Sequence, residues 1–154
     1  MIGFNLLGNL GRIGNQMFQY AALKGISKNM GYDYQIPSKD YFGTIDPLVK
    51  QSDLNIHDCF NIAKKYGIIN GENSQESSFH FDENIFNKCK DNTTLCGYFQ
   101  SEKYFQNVED ELRKEFVFNE EVVSLGTQFL SQIECSDAIS LHVRRGDYLK
   151  YSHH

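Results

Sequence analysis

The chain has 154 residues, which is enough for one ordinary domain with a substantial core. Fifteen Lys and Arg against twenty Asp and Glu give a net charge of −5, which argues against a general nucleic-acid binder and against a polybasic membrane anchor. Apolar residues make up 40% of the chain and only two prolines occur, so low-complexity and disordered classes are excluded. No apolar run approaches the roughly 20 residues of a membrane span, so we expect no integral membrane segment.

The N-terminal segment predicts a strand, a glycine-rich turn and a helix. Residues 2–7 read as a short strand, and the turn that follows contains Gly8, Gly11 and Gly14. Apolar residues then recur every four positions, as one buried helix face requires: Phe18, Ala22, Ile26 and Met30, with Met17 and Ala21 beside them. Asn15 stands where an N-cap belongs.

The glycine-rich turn has more than one interpretation. Glycines let the backbone approach a ligand, and a helix N-terminus attracts anions. Taken alone, an ordinary turn between a strand and a helix is the better explanation. A dinucleotide-binding turn needs G-x-G-x-x-G, with an acid about 20 residues further on. Asp33 is placed about right for that acid, but the glycines are spaced three apart, so the close Gly-x-Gly pair is missing.

Further elements alternate along the chain, with a long irregular stretch among them. A second strand is predicted at residues 34–37, whereas residues 38 to about 92 are irregular and rich in Asn, Asp and Ser, with short helical pieces around residues 60–66. This stretch either shapes an acceptor pocket or consists of variable surface loops. Residues 95–100 read as a third strand. Ser101 and Asn119 then begin two helices whose stripes we expect to be core: Phe105, Val108, Leu112 and Phe116 in the first, and Val122, Leu125, Phe129 and Ile133 in the second.

The sequence does not predict a metal site. Its four cysteines show no C-x-x-C spacing and only His57 lies near one of them, Cys59, so we expect free buried thiols rather than a zinc site. No Asp-x-Asp occurs, so the usual carboxylate route to a metal-bridged nucleotide diphosphate is not visible.

A last strand is predicted at residues 138–143, and it leads into the sequence HVRRGDY at residues 142–148. Two adjacent guanidiniums at the end of a strand suit a phosphorylated ligand, because the arginine fork matches phosphate oxygens two at a time. In open α/β sheets, ligands also collect at the carboxyl ends of strands. By itself, such a pair is more often a solvated turn. Along the strand, Arg144 shares a face with His142, while Arg145 points the other way.

Four segments together resemble the α-1,2-fucosyltransferase family, which contains bacterial enzymes and the animal enzymes that make the H blood-group structure. The segments are residues 14–21 (GNQMFQYA), 58–62 (DCFNI), 97–105 (GYFQSEKYF) and 142–148 (HVRRGDY). One departure is at residues 11–14 (GRIG), where members commonly have a glycine-glycine-leucine-glycine turn. A larger departure is length, because members continue well past the arginine motif.

The resemblance implies an α/β fold, the Rossmann-like N-terminal half of a glycosyltransferase B-type fold. The active site of such a fold lies in the cleft between two domains. A chain of 154 residues is too short for both. We therefore expect residues 1–133 to form the N-terminal, acceptor-side domain. Residues 134–154 would open the donor-binding domain, which would be truncated.

The resemblance also implies an activity: inverting transfer of L-fucose from GDP-fucose to the 2-hydroxyl of a terminal galactoside. No cofactor or metal is expected, because arginine would serve where a divalent cation otherwise neutralises the leaving group. The partners would be GDP-fucose and a galactose-terminated glycan, with no nucleic acid. Animal members carry a membrane anchor, so this chain resembles the bacterial, cytoplasmic members, and peripheral contact with the inner membrane stays open. A chain of this length alone is expected to be inactive.

Arg144 and Asn15 are the candidate catalytic residues. Arg144 would neutralise the β-phosphate as GDP departs, an interaction that is stronger in the transition state than in the ground state. Asn15 would contact donor or acceptor near the reacting carbon. Arg145 either binds the second phosphate or ties down the turn. Asp147 orients an arginine or the nucleotide, with general-base catalysis as the alternative.

The remaining site residues flank these two. His142 either braces Arg144, contacts the nucleotide or is a satisfied core histidine. The glycine turn would close over the cleft from the opposite domain. The expected donor-binding set is His142, Arg144, Arg145, Asp147, Gly14, Asn15 and Gln16. No residue is a convincing proton acceptor for the attacking 2-hydroxyl.

Two other classes of function remain open. Residues 145–147 (RGD) form the adhesion tripeptide, which would require an exposed loop on a secreted chain, and no secretion signal is visible. Alternatively, the chain is a non-catalytic glycan-binding or regulatory half that acts with a partner.

Overall fold

A computed structural model describes residues 1–41, 55–133 and 139–143 of the chain. Within these ranges the β-strands are β1 (Ile2–Gly3), β2 (Tyr34–Gln35), β3 (Glu72–Gln75) and β4 (Thr93–Cys96). The α-helices are α1 (Ile13–Met30), α2 (Ile56–Cys59), α3 (Glu83–Lys88), α4 (Glu109–Glu115) and α5 (Glu120–Leu130). Two short 3₁₀ turns precede α4, at Glu102–Tyr104 and Gln106–Val108.

The described strands form one parallel sheet in the order β2-β1-β4-β3. Ile2 of β1 lies opposite Tyr34 on one side and opposite Thr93 on the other. Parallel strands joined by helices confirm the predicted α/β class. The fold is compatible with a Rossmann-like fragment, whereas the glycosyltransferase B-type assignment and the division at residue 133 stay predictions. Because all pairs are parallel, the carboxyl ends of the strands meet at one edge of the sheet.

The strands predicted at residues 2–7 and 34–37 are present but shorter, as β1 and β2, and β3 was missed. Glu72–Gln75 is polar, pairs only with β4 among the described strands and lies mostly exposed at the edge of the sheet, so it shows no apolar signal. The strand predicted at residues 95–100 runs instead over Thr93–Cys96. It ends there because Gly97 and Phe99 have φ values of 147° and 52°, which strand geometry does not allow. The short helical pieces predicted around residues 60–66 are not formed, and α2 ends just before them at Cys59.

The sequence predicts one buried face for helix α1. In the structure the helix is buried on nearly all sides. All residues 19–27 are buried, because the sheet, α2, α3 and the two 3₁₀ turns all contact this helix. It begins at Ile13, directly after Arg12, so Asn15 lies within its first turn and the predicted N-cap role of Asn15 is wrong. Its last turn closes on Gly31, whose φ of 69° and N–H bond to the Lys28 carbonyl form a left-handed C-cap.

Aromatic rings dominate the core between α1 and the carboxyl end of β4. Phe99 is fully buried and meets Phe4 and Tyr104 edge-on, at centroid distances of 5.9 Å and 5.2 Å. A Cβ placed on Gly25 of α1 would overlap the carbonyl oxygen of Tyr104. Glycine at position 25 therefore lets the helix lie directly against the first 3₁₀ turn.

The two predicted C-terminal helices differ in outcome. The first is not continuous from Ser101: two 3₁₀ turns come before α4, and Val108 and Leu112 of its stripe are buried. The second begins as predicted, because the Asn119 side chain accepts a hydrogen bond of 3.0 Å from the Val122 N–H. Its stripe is not core, which corrects the prediction. No residue of α5 is buried, and these apolar side chains of α5 and the turn after it are largely exposed: Val123, Leu125, Phe129, Leu130 and Ile133.

The strand predicted at residues 138–143 is not formed over its described part. Residues 139–143 have no strand pairing, and Ile139 and Leu141 are 96% and 86% exposed. A strand forms only when a neighbour accepts its backbone hydrogen bonds, and the described sheet does not reach this segment. Within the described ranges, no helix is both long and apolar enough to cross a membrane.

Candidate functional site

Three loops meet at the edge of the sheet where the strands end. The loop after β1 carries the glycine turn, the loop after β3 begins at Glu76, and the loop after β4 begins at Gly97. Sites in parallel α/β sheets form at this edge, because loops from neighbouring strands converge there on a rigid support. This edge is therefore the candidate site.

The glycine turn owes its residue types to local geometry. Gly8 and Gly11 have φ values of 87° and 78°, in the left-handed region that favours glycine. A Cβ on Gly11 would also lie 2.5 Å from Nδ2 of Asn15, so this glycine makes room for the Asn15 side chain. Gly14 is different, because it is exposed and a Cβ added there would have no neighbour within 4 Å.

Asn15 lies half-buried at the start of α1 and faces the loop after β4. Its Oδ1 accepts a hydrogen bond of 2.7 Å from Nε2 of Gln100. This bond connects the predicted catalytic amide to residues 97–105. Asn15 and Gln100 thus join two of the segments that resemble the family, residues 14–21 and 97–105.

Gln16 is fully buried beside Asn15. Its Oε1 accepts a hydrogen bond of 2.8 Å from the Ile56 N–H, and its Nε2 donates one of 3.2 Å to the Gly11 carbonyl. These contacts fix the glycine turn against α2. A donor-binding role for this side chain stays a prediction.

The C-terminal candidates are only partly described. His142 is exposed and lies outside any strand or helix, so it is not a core histidine in the described structure. Arg144, Arg145 and Asp147 lie outside the described residues. Gly14, Asn15 and Gln16 are therefore brought together, and their predicted placement opposite the arginines stays untested.

Sequence reasoning missed Glu76, which stands directly after β3. Its Oε2 accepts hydrogen bonds from the backbone N–H groups of Tyr98 and Phe99, at 2.8 Å and 2.9 Å. Its Oε1 is buried and has no hydrogen-bond partner among the described residues. The surrounding polar sequence, from Glu72 to Ser78, gave no signal that would single out one carboxylate.

Gln19 is a second residue that the sequence did not reveal. It is fully buried, and its Nε2 donates to the carbonyls of Leu10 and Gly97, at 3.0 Å and 3.1 Å. Its Oε1 is buried without a partner in the part of the chain that the structure describes. Gln19 joins the loops after β1 and β4, whereas the sequence placed it in the family-like segment at residues 14–21 without assigning it a role.

A cavity of about 420 Å³ opens between these loops, with lining residues that include Leu6, Leu10, Glu76, Phe79, Gly97 and Tyr98. A larger hollow of about 520 Å³ lies elsewhere and is lined only by the single segment of residues 102–116. We assign the site to the smaller cavity, because it joins three strand-end loops and is lined by Glu76, whose carboxylate has one unpaired oxygen.

The segment at residues 55–62 supports the site from the far side of Gln16. Asn55 and Asp58 form a capping box at the start of α2, and Asp58 also forms an ion pair with Lys39. Partial burial acts to raise the pKa of the Asp58 carboxyl, but hydrogen bonds from Lys39 and from the Asn55 N–H outweigh it and lower the pKa. His57 is half-buried, its Nε2 has no described partner, and burial lowers its pKa.

The opposite face of α1 carries a buried polar network rather than a binding site. Lys24, 6% exposed, lies 2.9 Å from Oε1 of Glu115 and 3.5 Å from Oε2 of Glu111. The Tyr20 hydroxyl donates to Oε2 of Glu115 at 2.8 Å and lies 3.3 Å from the Tyr34 hydroxyl. Burial, with the hydrogen bonds to Tyr34 and Glu115, raises the pKa of Tyr20 far above its usual range. Every group here has a protein partner, so we read the network as structural.

Cysteines do not form a metal centre in the described structure. Cys59 and Cys89 are buried, Cys96 is half-buried, and burial raises the pKa of all three thiols. Within the described ranges, no three His, Cys, Asp or Glu side chains are grouped as metal ligands would be.

Comparison with known proteins decides the family. The model of glycosyl transferase family 11 matches residues 2–154, which includes both the glycine turn and the arginine motif. The chain belongs to glycosyl transferase family 11. Its resemblance to the α-1,2-fucosyltransferases is confirmed at this level. No solved structure matches the chain at a significant level.

Relatives of this family 11 chain come from bacteria and animals. It is 28% identical over 158 residues to an alpha-1,2-colitosyltransferase of Escherichia coli, a match that covers 90% of this chain and 53% of that protein. It is 23% identical over 156 residues to galactoside alpha-(1,2)-fucosyltransferase 2 of Pongo pygmaeus, a match that covers 96% of this chain and 42% of that protein. The protein of the same name from Oryctolagus cuniculus is 24% identical over 153 residues, a match that covers 96% of this chain and 41% of that protein. The chain thus spans about half the length of these relatives.

Three of the four family-like segments meet in this family 11 structure. Helix α1 carries the first segment, Gln16 joins it to Ile56 near the second, and Asn15 joins it to Gln100 in the third. Of the fourth segment, only His142 and Val143 are described.

Proposed function

We propose that this protein is a galactoside α-1,2-fucosyltransferase that transfers L-fucose from GDP-fucose to the 2-hydroxyl of a terminal galactoside with inversion. The observation that carries the proposal is the family 11 match over residues 2–154. Two of the relatives are named as galactoside α-(1,2)-fucosyltransferases, which supports both the linkage and the acceptor. The sugar nucleotide and the glycan are its partners in this reaction.

The predicted chemistry needs a cation at the leaving group. Departure of GDP places negative charge on the β-phosphate while the sugar gains oxocarbenium character. A guanidinium aimed at that phosphate stabilises the transition state more than the ground state. In the proposal Arg144 supplies this cation, and Arg145 either binds the second phosphate or ties down the turn. Asp147 orients an arginine or the nucleotide, and His142 lies beside them.

The glycine turn supplies the other side of the proposed cleft. Asn15 lies at the sheet edge, held from one side by Gln100. In the proposal its amide contacts a substrate near the reacting carbon, while Gly14 leaves open space beside it and Gln16 fixes the turn.

A transfer assay on the complete gene product tests the proposal, with GDP-fucose as donor and a galactoside as acceptor. We expect fucosyl transfer that withstands excess EDTA, because no metal takes part in the proposed step. Arg144→Ala should lower kcat by about a hundredfold or more, as loss of a transition-state contact does. Arg145→Ala is the matched control, with a smaller loss expected. Absence of transfer by the wild type would overturn the proposed reaction, and near-normal turnover of Arg144→Ala would remove Arg144 from its role.

A second donor is favoured by one relative. The Escherichia coli protein is named as an alpha-1,2-colitosyltransferase and has a higher identity, 28%, than the two animal proteins. The same assay, run with a colitose donor, distinguishes colitose transfer from fucose transfer. Transfer of colitose without transfer of fucose would correct the sugar and leave the linkage intact.

A further inference from the structure

We infer that the cavity at the strand ends binds the acceptor sugar, and that Glu76 accepts a hydrogen bond from one of its hydroxyls. The inference rests on the proposed function, because it places the galactoside of that reaction. It rests also on observations that are independent of the family: the seating of the carboxylate, the unpaired oxygen, the charge of the cavity and its aromatic wall.

Glu76 is held in one orientation by the loop after β4. Two successive backbone N–H groups, of Tyr98 and Phe99, donate to the same oxygen, Oε2. In this arrangement Phe99 has a φ of 52°, which is uncommon for a residue other than glycine. The arrangement requires glycine at position 97, because a Cβ there would lie 2.5 Å from the Glu76 Cβ and 2.7 Å from Oε2. Unusual backbone held at a strand end is typical of functional sites.

The other carboxylate oxygen is left without a partner. Oε1 of Glu76 is buried and accepts no hydrogen bond from any described residue, and a buried polar atom in this state is costly. A carboxylate only accepts hydrogen bonds, so its natural partner is a donor such as a sugar hydroxyl. Because Oε1 is covered in the free protein, binding includes a local shift of the atoms over it.

The charge of the cavity favours a neutral sugar over the nucleotide donor. Among the described residues that line it, Glu76 is the single charged side chain, and none is Lys or Arg. A diphosphate requires cations or clustered N–H donors directed at it, whereas a carboxylate repels it. The volume, about 420 Å³, lies within the usual range for small-molecule sites.

An aromatic wall completes the cavity. Phe79 is 69% exposed, and its ring stacks on Tyr98 with a centroid distance of 6.2 Å and an interplanar angle of 21°. The negative face of an aromatic ring suits the polarised C–H groups on the apolar side of a pyranose. Aromatic face and carboxylate together supply the two kinds of contact that a sugar makes.

The test is steady-state kinetics of the complete gene product and of Glu76→Gln, Phe79→Ala and Glu72→Gln. Glu72 begins β3, the strand that Glu76 directly follows. It is exposed and pairs only with Lys90 among the described residues, so Glu72→Gln is the matched control. For Glu76→Gln we expect the KM for the galactoside to rise at least tenfold. The KM for the donor and the rate of donor hydrolysis without acceptor should stay within twofold of the wild type. An unchanged acceptor KM, or a rise in donor KM instead, would overturn the inference.

Phe79→Ala keeps the inference testable if loss of the Glu76 carboxylate disturbs the loop. Because this side chain is 69% exposed, we expect its removal to leave the Tm unchanged and the acceptor KM to rise severalfold. If the wild type neither hydrolyses nor transfers from a sugar nucleotide, the proposed function fails. The cavity is then judged by saturation-transfer NMR with methyl β-galactoside. Binding that Glu76→Gln abolishes supports it, and absence of binding to the wild type refutes it.

Discussion

Gln100 donates a 2.7 Å hydrogen bond from its Nε2 to Oδ1 of Asn15, and so joins the loop after β4 to the first turn of α1. This pair orients the one glycine-turn side chain to which a catalytic role is proposed. Asn15→Ala should therefore lower kcat by about a hundredfold, as loss of one transition-state contact does. Gln100→Ala keeps the Asn15 amide and should cost about tenfold or less.

Steady-state kinetics of both variants, with Tm values as the check on folding, decide between two roles for Asn15. Equal losses of kcat in the two variants would mean that Asn15 only secures the loop. Unchanged kcat in Asn15→Ala would withdraw it from the site altogether.

Gly25 is the position where the packing of α1 leaves least space. Gly25→Ala should destabilise the protein by about 3 kcal/mol, because the new methyl group overlaps the Tyr104 carbonyl oxygen, which is backbone and cannot move aside alone. Gly126→Ala is the matched control. It too lies inside a helix, α5, but has no neighbour within 4 Å and should stabilise by about 0.5–1 kcal/mol. Denaturant unfolding of both variants measures the difference, and equal effects would contradict the packing described for α1.

Lys24 and Lys28 allow a buried ion pair to be compared with an exposed one on the same helix. Lys24→Met should lower the free energy of unfolding by about 2 kcal/mol, because it leaves the partly buried Glu115 carboxylate without its cation. Lys28 lies 2.8 Å from Oε1 of Glu111, but both side chains are half exposed, so Lys28→Met should cost less than about 1 kcal/mol. Urea unfolding at low and high salt checks both, and only the Lys28 effect should fade with salt. A Lys24 effect no larger than that of Lys28 would show that burial adds nothing here.

His57 should make stability depend on pH near neutrality. Burial lowers its pKa below the ordinary value of 6.5, against smaller raising effects of the Pro37 backbone and the Asp58 charge. The unfolded chain then binds the proton more readily. The stability that neutral His57 contributes is therefore fully present above pH 6.5, and it is lost as the pH falls through the lower pKa of the folded state. His57→Gln should flatten the pH dependence of the unfolding free energy between about pH 5 and 7, where unperturbed carboxylates stay ionised. An NMR titration that gave His57 a pKa above 6.5 would contradict this.

The first two strands were predictable because Ile2 and Tyr34 are buried in them. The start of α5 was predictable because Asn119 carries a local capping signal that needs no tertiary context. The polar edge strand Glu72–Gln75 was missed, since pairing with β4 rather than burial defines it. Periodicity found α5, but an apolar stripe cannot indicate what covers it, and here it is exposed.

The candidate site likewise contains residues that the sequence reveals and residues that it does not. Asn15 and the glycines were visible because a turn between a strand and a helix is a local pattern. Glu76 was not, because its significance comes from Tyr98 and Phe99, which lie 22 and 23 residues further along the chain. No spacing rule connects residues at such separations, and only the strand order brings their loops together.

Gln19 joins the loop after β1 to the loop after β4. Its one amide nitrogen serves the carbonyls of Leu10 and Gly97 at once, so any shorter side chain would release both together. Loss of the Gln19 amide would accordingly disturb the glycine turn and the loop after β4 together, and the two sides of this edge would lose their order as one unit.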